Sequence, residues 1–126
     1  MADSSKARIF VVDDDPDILS VLSLIFKTSG YGCSCFGDAE RCLEELEKGG
    51  CDLLITDMKM PGKSGMELLA EAKRMIGGLP VIVITSYGDI PTSVKAIKAG
   101  AFDFLEKPLD EQKLLKVVES ALQQSG

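Results

Sequence analysis

The sequence predicts a single doubly wound α/β domain, in which helices cover both faces of a central parallel sheet of five strands. Three observations lead to this fold class. The 126 residues suffice for one domain with a proper core and are too few for two. Short apolar runs alternate five times with segments of helical spacing, strand first. The central runs show little apolar/polar alternation, as expected for parallel strands that are buried on both faces.

Five short runs are predicted to form the strands, and parallel pairing requires a crossover after each one. The runs are RIFVV (8–12), GCSCF (32–36), CDLLITD (51–57), PVIVIT (80–85) and FDFLE (102–106).

The intervening segments each carry an apolar stripe at helical spacing, which is predicted to face the sheet. The stripes are Ile18, Leu22, Ile25 and Phe26; Leu43 and Leu46; Met66, Leu68 and Leu69; Val94 and Ile97; and Leu114, Val117, Val118 and Leu122. Helix ends are marked by Pro16 behind an aspartate cap, by a capping box of Ser64 and Glu67, and by Gly30 and Gly100 as C-terminal stops.

Composition and charge narrow the function classes. The chain is 45% hydrophobic and 27% charged, an ordinary globular balance, and its apolar runs are too short to cross a membrane. A net charge of −6 without a cluster of Lys and Arg argues against direct contact with nucleic acid. Residues 1–7 have no apolar core, so they are expected to form a flexible tail rather than a signal peptide, with the domain spanning 8–124.

The four cysteines are interpreted as small apolar fillers. Their spacing lacks C-x-x-C and the chain has no His, which argues against a zinc site, and nothing marks the chain for export, so disulfides are not expected. These residues are Cys33, Cys35, Cys42 and Cys51.

Acidic residues follow two of the predicted strands. Asp13 and Asp14 end the first strand and Asp57 ends the third, so all three are expected at the edge where the carboxyl ends of parallel strands meet. Carboxylates at this spacing repel one another unless a cation lies between them, and Mg²⁺ prefers such oxygen ligands. Two simpler roles remain open here, a helix cap for Asp14 or Asp15 and a turn at Asp57.

A hydroxyl and an ammonium group are expected at the same edge. Thr85 and Ser86 end the fourth strand, and Lys107 with Pro108 ends the fifth. A carboxylate, a hydroxyl, an ammonium and a divalent cation together provide what phosphoryl transfer requires. The joint placement favours this chemistry, since each residue alone has an ordinary structural explanation.

Four motifs carry a family resemblance: VVDDDPD, LLITDMKMPGKSG, PVIVITSYGD and KAGAFDFLEKPL. From about Arg8 to Leu122 the chain resembles the receiver domains of bacterial two-component response regulators, and most closely those of the NtrC and FixJ kind. The resemblance implies a CheY-like fold with strand order 2-1-3-4-5. It also implies these site roles: Asp57 as phosphoacceptor; Asp13, Asp14, Asp57 and the backbone carbonyl of Lys59 as Mg²⁺ ligands; Thr85 and Lys107 on the phosphoryl oxygens; Thr85 and Phe104 as the switch pair; and a frequently cis bond before Pro108.

The implied function is a cytoplasmic signalling switch rather than an enzyme. Asp57 would accept a phosphoryl group from a phosphohistidine of a sensor histidine kinase. This would change the face formed by the fourth helix, fifth strand and fifth helix, which would act on an output domain or partner protein that controls transcription. A homodimer on phosphorylation is compatible with this role. Because water must approach in line behind the phosphorus, the long side chains of Lys59 and Tyr87 are predicted to prolong the phosphorylated state.

Two other functions are considered. Phosphatases of the haloacid dehalogenase class use a similar set of residues, with an aspartate as the nucleophile. In this chain the set would be Asp13, Asp15, Thr85 and Lys107, but members of that class have longer chains. A receiver fold that serves as a phosphorylation-independent docking module would not need the complete set of site residues. The GKS at 62–64 mimics a nucleotide-binding loop, yet the glycine required five places before Gly62 is Asp57.

Overall fold

The computed structural model describes residues 7–125, and of residue 125 the backbone alone. The predicted flexible tail therefore lies, apart from Ala7, outside the described residues. Five strands alternate with five helices, strand first, as the sequence predicts. The elements are β1 Arg8–Val12, α1 Pro16–Thr28, β2 Gly32–Phe36, α2 Ala39–Glu47, β3 Leu53–Asp57, α3 Gly65–Met75, β4 Val81–Thr85, α4 Ile90–Lys98, β5 Asp103–Glu106 and α5 Glu111–Ser125.

The strands form one parallel sheet in the order β2-β1-β3-β4-β5, which confirms the predicted fold class and strand order. Since the strand order reverses between β1 and β3, the residues that follow these two strands lie side by side at the carboxyl edge. Three strands begin one or two residues later than predicted. At β4 the reason is chemical, because Pro80 has no N–H and only its carbonyl joins the ladder, accepting from Leu54 N at 3.1 Å.

The core has two layers, one on each face of the sheet. Helices α2, α3 and α4 cover one face, and α1 and α5 cover the other. All residues of β3 and β4 are buried, and so are the last four of β1, as predicted for strands covered on both faces.

The predicted stripe of α4 is wrong. Val94 and Ile97 are 45% and 41% exposed, whereas Ser93 and Ala96 are 1% and 0% exposed and face the sheet. Small side chains allow the helix to lie close to the sheet. A pattern of large apolar residues does not reveal that packing mode, and it leaves Val94 and Ile97 on the surface.

The predicted helix boundaries are confirmed. Asp15 caps α1 ahead of Pro16, and its carboxylate accepts a hydrogen bond from Asp17 N at 2.9 Å. The capping box of Ser64 and Glu67 opens α3. Gly30 and Gly100 follow α1 and α4 with φ of 90° and 112°, values that favour glycine.

The cysteines fit the filler interpretation except at one position. Cys42 is buried and Cys33 and Cys51 are half-buried, but Cys35 is exposed because β2 is an edge strand. All four thiols are free, and in the described part of the chain none belongs to a cluster of three or more metal-ligating side chains. Within residues 7–125 no helix combines the length and apolar character that a membrane span requires.

Candidate functional site

Three carboxylates meet at the carboxyl edge of the sheet. Asp13 and Asp14 follow β1, Asp57 ends β3, and one oxygen of each lies within 4.8 Å of the others. Asp13 is fully buried and Asp57 is 7% exposed, while Asp14 is exposed at the rim. The structure thus brings together the three acidic residues that the sequence places at one edge.

Asp13 has one oxygen that is satisfied and one that is not. Its Oδ1 accepts a hydrogen bond from Asp15 N at 2.9 Å, whereas Oδ2 is buried and, among the described residues, has no hydrogen-bond partner. Burial raises the pKa of Asp13, and the charge of Asp57 raises it further. A buried carboxylate oxygen without a hydrogen bond is costly, and a divalent cation would satisfy it. The donor set therefore fits Mg²⁺.

Lys107 supplies the positive charge of the site. Its Nζ lies 3.5 Å from Oδ1 of Asp57 and 3.9 Å from Oδ2 of Asp13. Burial raises the pKa of Asp57, and the Lys107 ammonium opposes that rise. Both carboxylates thus share one half-buried ammonium group.

The backbone around Lys107 holds the end of β5 beside β4. Lys107 N donates to the carbonyl of Thr85 at 2.9 Å, and the Lys107–Pro108 peptide bond is cis, as the resemblance implies. The predicted ammonium and hydroxyl groups therefore lie on adjacent strand ends.

Thr85 is 1% exposed, and its hydroxyl contacts α4. The Oγ1 of Thr85 lies 3.4 Å from the Oγ of Ser93, a pairing that the sequence did not suggest. Phe104 is half-buried on the face covered by α2, α3 and α4. Since Phe104 pairs with Val83, two residues before Thr85, Phe104 and Thr85 point to the same face of the sheet. The predicted switch pair shares one layer of the core.

Lys59 and Tyr87 lie at the rim. Lys59 is exposed two residues beyond Asp57, and Tyr87 is 82% exposed. The pKa of Asp89 is lowered first by hydrogen bonds from Thr92 and further by the charge of Lys59. The charge of Lys59 therefore acts on Asp89, the residue that caps α4.

One residue of the site was missed by sequence analysis. Gly65, the first residue of α3, packs so closely on the β3–α3 loop that a Cβ there would lie 2.2 Å from the carbonyl oxygen of Asp57. Its amide also donates to the carbonyl of Met58 at 3.1 Å. The sequence did contain a signal for this contact. Gly65 directly follows the capping Ser64, and the first position of a helix does not itself require glycine, so its presence there indicates close packing.

The assembled groups suit transfer of a phosphoryl group to a carboxylate. An aspartate carboxylate such as that of Asp57 can act as a nucleophile, ammonium and hydroxyl groups can donate to phosphoryl oxygens, and paired carboxylates can bind a charge-neutralising cation.

Comparison with known proteins agrees with this chemistry. Residues 9–119 match the family described as response regulator receiver domain. The transcriptional regulatory protein FixJ of Bradyrhizobium diazoefficiens is 36% identical, over 97% of this chain and 60% of its own length. The response regulator protein TodT of Pseudomonas putida is 40% identical, over 90% of this chain and 50% of its own length.

Solved structures of receiver domains share this fold. A CheY-like response regulator receiver domain protein from Methanospirillum hungatei superposes with a TM-score of 0.90 at 31% identity, covering 96% of this chain and 97% of that one. The chain thus covers nearly all of that solved chain, but only 50–60% of the length of FixJ and TodT.

Proposed function

The chain belongs to the response regulator receiver domain family, and from this we propose that it is a phosphorylation-dependent switch whose phosphoacceptor is Asp57. One observation carries the assignment of the residue. Among the three clustered carboxylates, Asp57 combines burial, contact with the Lys107 ammonium at 3.5 Å, and a position at the end of a central strand. Of the two carboxylates that contact the ammonium, Asp57 is the nearer one.

The proposed reaction moves a phosphoryl group from a phosphohistidine to Asp57. An oxygen of Asp57 forms a bond to phosphorus, the N–P bond breaks, and the imidazole nitrogen keeps the bonding electrons and takes up a proton. Lys107 and the Thr85 hydroxyl contact the phosphoryl oxygens and stabilise their charge. Asp13, Asp14, Asp57 and the carbonyl of Lys59 would hold Mg²⁺, which supplies charge neutralisation during transfer.

Phosphorylation would reach the output through Thr85 and Phe104. The new group adds charge and acceptor oxygens at Asp57, and these attract the Thr85 hydroxyl. Movement of Thr85 would free space in the core layer that also contains Phe104. Because Phe104 belongs to β5 and Thr85 precedes α4, the face formed by α4, β5 and α5 is where the change would appear.

The partners follow from the family and remain proposals, since FixJ and TodT are longer than this chain. The domain acts in the cytoplasm and receives its phosphoryl group from a sensor histidine kinase. An output domain or partner protein that controls transcription receives the signal. The phosphorylated domain is compatible with a homodimer. The net charge of −6 argues against contact between this domain and nucleic acid.

Neither alternative is favoured. Receiver domains of transcriptional regulators are generally not enzymes, and the comparisons give no support to a haloacid dehalogenase phosphatase. The carboxylate of Asp15, which that mechanism needs, is used as the cap of α1. The only turnover we propose is slow self-dephosphorylation of Asp57. A phosphorylation-independent docking module would not explain a buried oxygen of Asp13 that lacks a hydrogen bond within the described part of the chain.

Acetyl phosphate tests the proposal directly. Intact-mass spectrometry should show one phosphoryl addition when Mg²⁺ is present and none when it is chelated. Asp57→Ala should abolish the addition, and Asp17→Ala, an exposed aspartate in the first turn of α1, should retain it. Addition that persists in Asp57→Ala would overturn the assignment.

A further inference from the structure

The buried serine of α4 makes a contact that the proposed switch does not use. Ser93 is 1% exposed, and its Oγ lies 3.1 Å from the carbonyl oxygen of Asp89 and 3.4 Å from Oγ1 of Thr85. No other partner of the Thr85 hydroxyl is seen among residues 7–125. A hydroxyl on a helix face that is otherwise small and apolar therefore meets the hydroxyl expected to move.

The hydrogens can be assigned from the number of donors. Ser93 has a single hydroxyl hydrogen, and the carbonyl of Asp89, one turn earlier, can only accept. Both contacts are satisfied together when Ser93 donates to Asp89 and Thr85 donates to Ser93. In this arrangement the only hydroxyl hydrogen of Thr85 is engaged by Ser93 of α4.

We propose that Ser93 is a positioning residue that holds the Thr85 hydroxyl on α4 in the unphosphorylated state, so that a phosphoryl group on Asp57 must displace it. This inference rests on the proposed function of Asp57 and Thr85. The O···O distance of 3.4 Å is long for a hydroxyl pair, so the contact is weak enough for charged phosphoryl oxygens to replace. Ser93 thereby sets how strongly the resting state resists activation.

The burial of Ser93 distinguishes this role from that of a serine that only bonds a backbone carbonyl of its own helix. A serine that only bonds the preceding turn can do so at the surface, as Thr28 does with the carbonyl of Leu24 at 3.0 Å. Alanine is the better helix former and would fit the same buried position without a polar group. The hydroxyl is therefore expected to act through its buried neighbour, Thr85.

Titration with beryllofluoride in saturating Mg²⁺, followed by ¹⁹F NMR, tests the proposal, because this ion mimics a phosphoryl group on a carboxylate. Ser93→Ala removes the resting partner of Thr85 and should tighten binding by roughly three- to tenfold, the worth of one neutral hydrogen bond. Thr92→Ala is the matched control, since Thr92 also bonds Asp89 in the same turn without a contact to Thr85. Its affinity should stay within about twofold of wild type.

A double-mutant cycle shows whether the effect passes through Thr85. In a Thr85→Val background, Ser93→Ala should leave beryllofluoride affinity unchanged. Without ligand, the Thr85 resonances of Ser93→Ala should shift toward their beryllofluoride-bound positions, which a purely structural role of Ser93 would not produce.

The outcomes separate the two proposals. If wild type binds beryllofluoride but Ser93→Ala binds it no tighter, the role of Ser93 is overturned and the switch stands. The same conclusion follows if Ser93→Ala raises the affinity equally in the wild-type and Thr85→Val backgrounds. If wild type with Mg²⁺ binds no beryllofluoride, the proposed function fails and this inference fails with it.

Discussion

Gly65 and Asp57 approach each other so closely that there is no room for a side chain at residue 65. A Cβ on Gly65 would lie 2.2 Å from the carbonyl oxygen of Asp57 and 2.7 Å from the Cα of Met58. Both are backbone atoms, so no flexible side chain can move aside. The first turn of α3 is thus packed directly on the residue proposed to carry the phosphoryl group.

Gly65→Ala should therefore displace the β3–α3 loop. We expect a loss of about 2–3 kcal/mol in the free energy of unfolding, measured by urea denaturation, because overpacking against backbone is relieved only by backbone shifts. Phosphorylation of the folded fraction by acetyl phosphate should also slow. Gly37→Ala is the matched control, since nothing lies within 4 Å of its Cβ position, and it should be neutral or slightly stabilising. Wild-type stability in Gly65→Ala would contradict the close packing.

The layout of the site was predictable from the sequence, whereas its contacts were not. Asp13, Asp57 and Lys107 could be placed at one edge because each follows an apolar run, and parallel strands align their carboxyl ends. The contact of Ser93 with Thr85 depends on which face of α4 meets the sheet, and hydrophobic spacing pointed to Val94 and Ile97 instead. Small residues that allow close approach leave no periodic signal.

Asp13→Asn should stabilise the metal-free domain while weakening its affinity for Mg²⁺. Asparagine keeps an acceptor for Asp15 N and removes the charge from the buried Oδ2, which accepts no hydrogen bond from residues 7–125. We expect a melting temperature higher by about 2–6 °C without metal, equivalent to roughly 1 kcal/mol. Asp17→Asn serves as the control for an exposed aspartate and should change neither quantity. Marked destabilisation of metal-free Asp13→Asn would contradict this prediction and show that the negative charge of Asp13 stabilises the fold through Lys107.

The same carboxylates predict how stability depends on pH. The folded-state pKa values of Asp13 and Asp57 are raised by burial, so the folded domain binds protons more tightly than the unfolded chain. At neutral pH the two ionised carboxylates therefore lower the free energy of unfolding. This destabilisation disappears as the pH falls through their raised pKa values. Lys107 opposes this effect, so Lys107→Ala should cost about 1 kcal/mol at pH 7 and less in mildly acidic buffer.

Urea denaturation of Lys107→Ala at several pH values, without metal, measures this dependence. Lys113→Ala, a lysine exposed on α5, is the control for loss of a surface charge and should show no such pH dependence. If the cost of Lys107→Ala stayed constant from neutral to acidic pH, its ammonium would not act through the buried carboxylates.

Thiol alkylation should single out one cysteine. Burial raises the pKa values of Cys33, Cys42 and Cys51 to about 12, so at pH 8 these thiols stay protonated and react slowly. Cys35 is exposed on the edge strand β2. Iodoacetamide should therefore add rapidly once, and Cys35→Ser should remove that addition. Fast modification at two or more sites would contradict the filler interpretation of the other three.

Lys59 and Tyr87 are expected to set the lifetime of phosphorylated Asp57. Hydrolysis requires a water in line behind the phosphorus, and both side chains are long enough to cover that approach. Lys59 starts two residues beyond Asp57, and its charge helps to lower the pKa of Asp89 at the start of α4. Tyr87 lies in the loop between β4 and α4, two residues beyond Thr85. Tyr87 is 82% exposed before phosphorylation, so it has room to reorient over a phosphoryl group.

Each shortened side chain should accelerate phosphate loss from the purified phosphorylated domain. We expect about a threefold higher first-order rate for Lys59→Asn and for Tyr87→Ala, which corresponds to a barrier lower by roughly 0.6 kcal/mol. Val94→Ala is the control. It truncates an exposed apolar residue in the middle of α4 and should leave the rate unchanged. If both rim variants lose phosphate at the wild-type rate, water is not excluded by these side chains. A slower rate in Lys59→Asn alone would instead mean that the lysine ammonium orients the attacking water, because removing a shield cannot slow hydrolysis.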